Sequence, residues 1–498
     1  MNRGLRIGLI TVVVIALAYP AAAWVIGMSV QHQVEQREQL EQTQMPYLSV
    51  VKRDYRRGVY SSTEEVTYQL AGNWLQSLGV SPNGDKPFQF TVRNHIHHGP
   101  LPQLQAIAPA TIDTEFVVTP EVQKNLTAAF GDQAHFTIHT RLKWSGGGIT
   151  VAHSTPFKHD IPNVGMLDWR GLDIQGEMGR ELGTEVAELT APGLTLSTPK
   201  GNFAVDAVKM SMDVHLAFEQ LAVGKVHFSV GHLTADSVAM PDFKLDGHNI
   251  TLQADSSVTG DFLTTDLTVA LDSVAAGKFS ASELIWETRL DHIHGQSASE
   301  LNKEMMAVQT EQLKAPPPTG PDDSAALQRK AESGQKLLAA FQTHGLQILA
   351  HEPVIEFPRI GFKTPDGDLM LSLKLGVPGI TPADVSADPK IMALTLPKFL
   401  QATFNARVDG PLLDKLLQQA MPESDKSDAV KARLQQLQDQ GYIKVDGKAL
   451  TTQITYMSRQ LKINGLPFNP AVMAPPSPPQ QTPPERKSPA PKTTRLPH

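Results

Sequence analysis

The chain has 498 residues, of which 19% are charged, with a formal net charge of −7 and no cysteine. That length exceeds what one compact core organises, so the residues must spread over several lobes or one elongated sheet. So mild an acidity gives no footing for nucleic acid, and the missing cysteine excludes disulfides, thiolate metal sites and a cysteine nucleophile.

Leu5–Met28 (LRIGLITVVVIALAYPAAAWVIGM) carries no charge after Arg6. A helix over it would be about 36 Å long at ~1.5 Å per residue, enough to cross a hydrocarbon core of ~30 Å. Arg3 and Arg6 precede the run, while Arg37 follows it among Glu35, Glu38 and Glu41. The positive-inside rule then leaves the N-terminus in the cytoplasm and residues 29–498 outside. A cleaved secretory signal ending at Ala21–Ala23 is the alternative. Continuation of the run through Trp24, Val25 and Ile26, with Tyr19 and Trp24 as interface residue types, favours a retained anchor over residues 1–28. The expected setting is the inner membrane, crossed once through residues 5–28, with the bulk of the chain periplasmic. Ser29–Gln44 is rich in Gln and Glu with a thin apolar seam, and reads as a helical stalk over residues 29–46 that Met45-Pro46 closes.

From Tyr47 the apolar period becomes two, and residues 47–296 read as a β-rich region. In Val208–Phe218 (VKMSMDVHLAF) the residues Met210, Met212, Val214, Leu216 and Phe218 share one face, and Ser211, Asp213, His215 and Ala217 the other. Similar runs at Val226–Val230, Ile250–Ala254, Leu267–Leu271 and Leu284–Leu290 are separated by turn residues, the pattern of an antiparallel sheet with one apolar face. Residues 297–345 change to helical spacing, broken at Ala315–Pro321, and read as an inserted helical hairpin. Residues 346–466 return to strands, with an Asp366-Gly367 turn and helices near residues 411–440. Residues 467–498, above all Ala474–His498, are Pro-rich and cannot bury a core. The expected fold class is α+β and β-dominated: large antiparallel sheet(s), a helical hairpin and a short C-terminal helical region, on one N-terminal transmembrane helix.

Candidate chemistry is sparse. His95, His97 and His98 sit together in HIHHGP; on a strand His95 and His97 share a face at ~7 Å, close enough to reach one metal ion. No carboxylate in the local sequence supplies a third ligand, and a structural strand end is the better reading. His135 and His139 alternate with Phe136, Ile138 and Leu142, so as strand residues they stand ~13 Å apart and share no ion. His153 and His159 flank Pro156, and Asp206, Asp213 and Asp272 alternate with apolar residues as a solvated strand face does. Nucleophile-elbow, phosphate-loop and metalloprotease-helix patterns are absent. Arg56-Arg57-Gly58 offers two cations to anionic headgroups, or a strand start whose arginines pair with nearby acids. The expectation is no enzyme, no catalytic residue, no cofactor and no metal.

The stretch Tyr55-x-Arg57-Gly58-Val59-Tyr60-Ser61-Ser62, the element His98-Gly99-Pro100-Leu101-Pro102 and the C-terminal pattern Thr452–Gly465 (TQITYMSRQLKING) resemble the YdgA-like proteins of Gram-negative bacteria, a family of unknown function. Tyr60 and Leu101 stand where that family has phenylalanines, and Ser458-Arg459 where it has an Asn-Gly turn. The resemblance spans residues 5–466 and implies an inner-membrane-anchored periplasmic protein; it carries over no catalytic residues. The function that follows is a non-enzymatic envelope protein whose sheet offers an apolar groove to lipid or a partner chain. The alternatives are an assembly scaffold acting through stalk and tail, and a metal-dependent periplasmic enzyme.

Overall fold

The structure, a computed structural model, describes residues 19–35, 47–70, 89–104, 106–117, 127, 131, 136–179, 184–219, 221–315, 323–420 and 424–468. Its strands join one sheet of 22 strands. The first part comprises β1 (Leu48–Arg57), β2 (Ser61–Leu70), β3 (Gln89–His98), β4 (Ala110–Val117), β5 (Phe136–Leu142) and β6 (Gly148–Ser154). A hairpin of β7 (Phe157–Ile161) and β8 (Gly165–Trp169) then precedes β9 (Leu172–Met178). The longest strands follow: β10 (Glu185–Thr198), β11 (Gly201–Ala217), β12 (Leu221–Asp236), β13 (Lys244–Thr259), β14 (Phe262–Ala276) and β15 (Phe279–His294). The sheet ends with β16 (Val354–Thr364), β17 (Gly367–Gly376), β18 (Gln401–Asp409), β19 (Lys444–Asp446), β20 (Ala449–Met457), β21 (Gln460–Ile463) and β22 (Leu466–Pro467).

Nearly every strand pairs antiparallel with its sequence neighbour, so the sheet is one long meander. Only two places depart from this. β6 pairs with β9, leaving the β7–β8 hairpin to pair with the far half of β10. β18 pairs with β20, whose other edge is shared by β19 and β21. Among the described residues β1 and β22 have no mutual pairing, so the sheet is open rather than a closed barrel.

Register explains why this sequence makes an amphipathic sheet. Directly opposed residues of antiparallel strands share a face. One row of such partners runs Ile138–Ala152–Ile174–Leu189–Met210–Phe228 and continues Leu252–Val269–Trp286–Ile360–Leu371–Ala406: twelve strands with no polar side chain. An adjacent row on the other face reads Glu188–Ser211–His227–Gln253–Thr268–Glu287, without one apolar side chain. A slip of one residue in β11, β12 or β13 would put a polar side chain such as Ser211, His227 or Gln253 into the apolar row, which is why the register is strongly specified.

A transverse crease crosses β11–β15. In these strands the apolar positions step by three rather than two, at Val205–Val208, Val230–Leu233, Leu271–Val274 and Ala281–Leu284. The residues between them fall at one level of the sheet: Ala207, Gly231, Asn249, Asp272 and Glu283. Ala207 (φ 54), Asn249 (φ 52) and Glu283 (φ 51) hold left-handed backbone there, a conformation that L residues adopt rarely. Gly231 must be glycine, because a Cβ on it would lie 2.9 Å from the Ala207 Cβ. One extra residue per strand keeps the apolar side on the same face on both sides of the bend.

The helices lie at the margins. Residues 19–35 form α1. α2 (Gly295–Lys314) and α3 (Ser324–Ala340, N-capped by Asp323, which accepts from Ala326 N–H) make a hairpin against the ends of β12 and β15. Ser299 of α2 donates to the Phe218 carbonyl, and Val308 is buried beneath the hairpin. α4 (Pro389–Phe399) precedes β18; α5 (Gly410–Ala420) packs on β17 and β18 through buried Leu412, and α6 (Ser424–Asp439) follows.

α1 overturns the expected transmembrane helix. Among the described residues no helix is long and apolar enough to cross a membrane. The helix that carries the second half of the apolar run instead turns one face to the protein's own core: Ala23, and Val30 just beyond the run, are wholly buried, and Val30 packs with Ile96, Ala110, Ile112 and Leu142. Of the expected stalk, residues 29–35 continue α1 and residues 36–46 lie outside the described residues, as do residues 1–18 and the Pro-rich tail.

Candidate functional site: an uncovered apolar face

Along β11–β15 no second layer of the described residues lies over the apolar face. No residue of β11 or β14 is buried, and in the other three strands only Val223, Val230, Gly247 and Ala281 are. In the middle of the apolar row Leu252, Val269 and Trp286, on three adjacent strands, are 36%, 38% and 50% exposed. A sheet sealed against a partner layer would hide side chains of this size almost completely. At ~4.8 Å per strand the twelve-strand row is about 53 Å long. Trp286 is fixed in place, its indole N–H donating to Thr288 Oγ1 (2.9 Å) and its ring set edge-on to Phe357.

The same row changes character at the N-terminal end. Beyond Ile138 its members are Thr114, Asn94 and Glu64, and this is where α1 lies. Glu64 is 2% exposed yet satisfied: Arg53 donates from Nε (2.8 Å) and Nη2 (2.5 Å), and Asn94 from Nδ2 (2.9 Å). Asn94 in turn accepts from Thr114 Oγ1 at 2.8 Å. A paired and hydrogen-bonded charge is the form in which a buried carboxylate is tolerated.

Two of the stretches singled out in the sequence grip α1 from both sides. Arg57 stacks on Trp24 (4.1 Å to the ring centre), and Tyr60 meets Tyr19 at 5.9 Å between rings. From the other stretch, Leu101 offers its carbonyl to Tyr19 Oη at 2.8 Å. His98, buried between them, has Nδ1 at 3.0 Å from the Ala23 carbonyl and Nε2 at 3.1 Å from Ser62 Oγ. A carbonyl can only accept, so Nδ1 carries the proton and Nε2 accepts from the Ser62 hydroxyl. Gly27 of α1 lies flat against the ring, where a Cβ would come within 2.7 Å of it. His98 is therefore a structural clamp on the helix rather than a metal ligand.

Burial, the largest influence, holds the His98 pKa below its ordinary value, against the opposite pull of the Ala23 carbonyl. A histidine whose folded pKa is depressed binds fewer protons folded than unfolded, so stability rises with pH across that window. We expect α1 docking to be full above the ordinary imidazole pKa of ~6.5 and to weaken as pH falls through the lowered value. His294, whose pKa burial also lowers, acts in the same direction. Thermal melts at falling pH that steepen equally in His98→Gln and in the unaltered protein would rule out His98 as the group responsible.

The remaining candidates are scattered over the wet face. His95 Nε2 meets Glu115 Oε1 at 3.2 Å, and His97 Nε2 lies 3.9 Å from Asp113 Oδ2. His139 Nδ1 bonds Asp113 Oδ1 and His153 Nδ1 bonds Asp173 Oδ1, both at 2.7 Å. His159 lies on β7 and His135 outside the described residues. Arg56 pairs with Asp54 at 2.7 Å, and Asp213 and Asp272 are exposed on strands. Asp206 joins a group that local sequence reading misses: His232, Asp246 and His248, brought together by the pairing of β12 with β13. The only hint in the sequence is Asp246-Gly247-His248, two ligand types on one strand face.

A family model described as a bacterial protein of unknown function (DUF945) matches residues 1–471. No curated protein and no solved structure matches the chain.

Proposed function

The chain belongs to that bacterial family of unknown function, DUF945, and from there we propose that its long sheet is a groove for the acyl chains of lipids. The observation that carries this reading is the register row from Ile138 to Ala406, free of polar side chains across twelve strands and uncovered at its centre. Apolar surface left in water is costly at ~25 cal/mol per Å², and a contiguous exposed apolar patch marks a binding surface more often than an ordinary exterior. An acyl chain suits the floor because the row offers no charge or donor to orient a polar ligand. The same absence argues for a binder rather than a catalyst, since the row supplies no acid, base or nucleophile. The setting that goes with this reading is the periplasmic side of the inner membrane, where acyl chains are at hand.

The test is extraction of the purified full chain with organic solvent, followed by mass spectrometry, beside native mass spectrometry of the intact protein. Bound phospholipid or fatty acid is the expected result. A lipid-free protein that also fails to take up a fluorescent fatty acid would refute the reading, and recovery from the cytosolic fraction would refute the setting.

A further inference from the structure

We propose that His232, Asp246 and His248 form a binding site for a divalent transition metal of the zinc class on the wet face of the sheet, with Asp206 as the residue that positions His232. The ligand atoms of the three side chains all lie within 4.8 Å of one another. His232 on β12 and His248 on β13 are direct cross-strand partners, their rings stacked at 4.3 Å and 11°. Asp246 stands two residues before His248 on the same face, its Oδ1 2.8 Å from His232 Nε2 and 3.0 Å from His248 Nε2. Both Nε2 atoms thus aim at one point, as ligands of a single ion do. Two donors ~2.1 Å from one ion stand at most about 4.2 Å apart, so a small rotation of these half-exposed rings closes the set.

Two imidazoles and a carboxylate are the ligand types that zinc and its neighbours prefer to calcium or magnesium. Behind His232, on its Nδ1 side, Asp206 Oδ2 lies at 3.9 Å, and Arg170 Nη1 holds Asp206 through Oδ1 at 2.5 Å. A carboxylate on the far nitrogen of a ligating histidine is the arrangement that orients the ring and raises its basicity. The other histidine–carboxylate contacts of this face do not gather three such atoms: among the described residues this is the group that does. Because Gly231 and Asn249 lie beside His232 and His248, a bound ion ties β12 to β13 at the crease.

The full chain, stripped with EDTA and desalted, is titrated with ZnCl2 alone and with CoCl2 alone. The expected result is one equivalent bound per chain, with visible Co2+ bands and a rise in melting temperature. His232→Ala with His248→Ala should weaken binding at least tenfold, as should Asp246→Asn; Asp206→Asn should weaken it about tenfold, the usual cost of losing an orienting carboxylate. His95→Ala with His153→Ala serves as the control and should leave affinity unchanged. A double variant at 232 and 248 that loses less than tenfold, or a control that loses as much, overturns the proposal. Circular dichroism confirms that each variant is folded, which these positions, none of them buried, permit.

Discussion

Val269→Lys should leave the protein folded and its groove empty. Val269 sits at the centre of the apolar row, between Leu252 and Trp286, and is 38% exposed. Were that face sealed, an unpaired ammonium there would cost about 4 kcal/mol or more. On an uncovered floor the lysine stem lies along its apolar neighbours while the charge reaches water, and the expected cost is ~1 kcal/mol or less. The ligand faces the opposite situation, since an acyl chain laid over the site must strip water from the charge. A loss of at least tenfold in retained lipid, equivalent to ~1.4 kcal/mol, is expected. Urea unfolding and solvent extraction on the same preparation separate the two effects. A variant that unfolds would mean a covered face; one that is folded and still loaded would place the lipid elsewhere.

Val30→Asp should release α1 and leave the sheet intact. Val30 is wholly buried among Ile96, Ala110, Ile112 and Leu142, and an aspartate there meets no partner for its charge. The expected penalty is about 4 kcal/mol or more, larger than one helix docked through a handful of contacts can absorb. Gly27→Val tests the same interface from the other side, because its Cβ would overlap the His98 ring at 2.7 Å and the ring is held at both nitrogens; overpacking of this kind costs about 1–3 kcal/mol. Val25→Asp, on the 59% exposed side of α1, is the matched control and should change little. Hydrogen exchange over residues 19–35 reads the outcome directly: protection lost in Val30→Asp and kept in Val25→Asp. Equal protection in both would show that the helix is not held by this core.

With α1 docked, the sheet is apolar and open in its middle and closed by a helix at one end. Glu64, Asn94 and Thr114 replace apolar side chains in the row at its α1 end, so the change from polar to apolar along one register row marks where the uncovered face begins. The two sequence stretches around Tyr55–Ser62 and His98–Leu101 act at that boundary, on the helix rather than on a ligand.

What the sequence determined on its own is what depends on near neighbours. Strict alternation from Met210 to Leu216 obliges a strand with one greasy and one wet side, because successive side chains of a strand point to opposite faces. The step of three at Val205–Val208 is visible in the letters as well, and the left-handed backbone of Ala207 shows it to be a bend that spares the alternation. What only the tertiary structure decided are the questions of what each apolar surface meets. Ala23 and Val30 are equally apolar whether they face lipid or Ile96, since the hydrophobic effect has no direction, and hydropathy therefore could not choose between a membrane span and a docked helix. Whether Leu252, Val269 and Trp286 are sealed or open turns on the absence of a covering layer, which no local pattern encodes. His232 and His248 meet because the register of β12 against β13 makes them direct cross-strand partners, and the spacing of the letters alone does not fix that register.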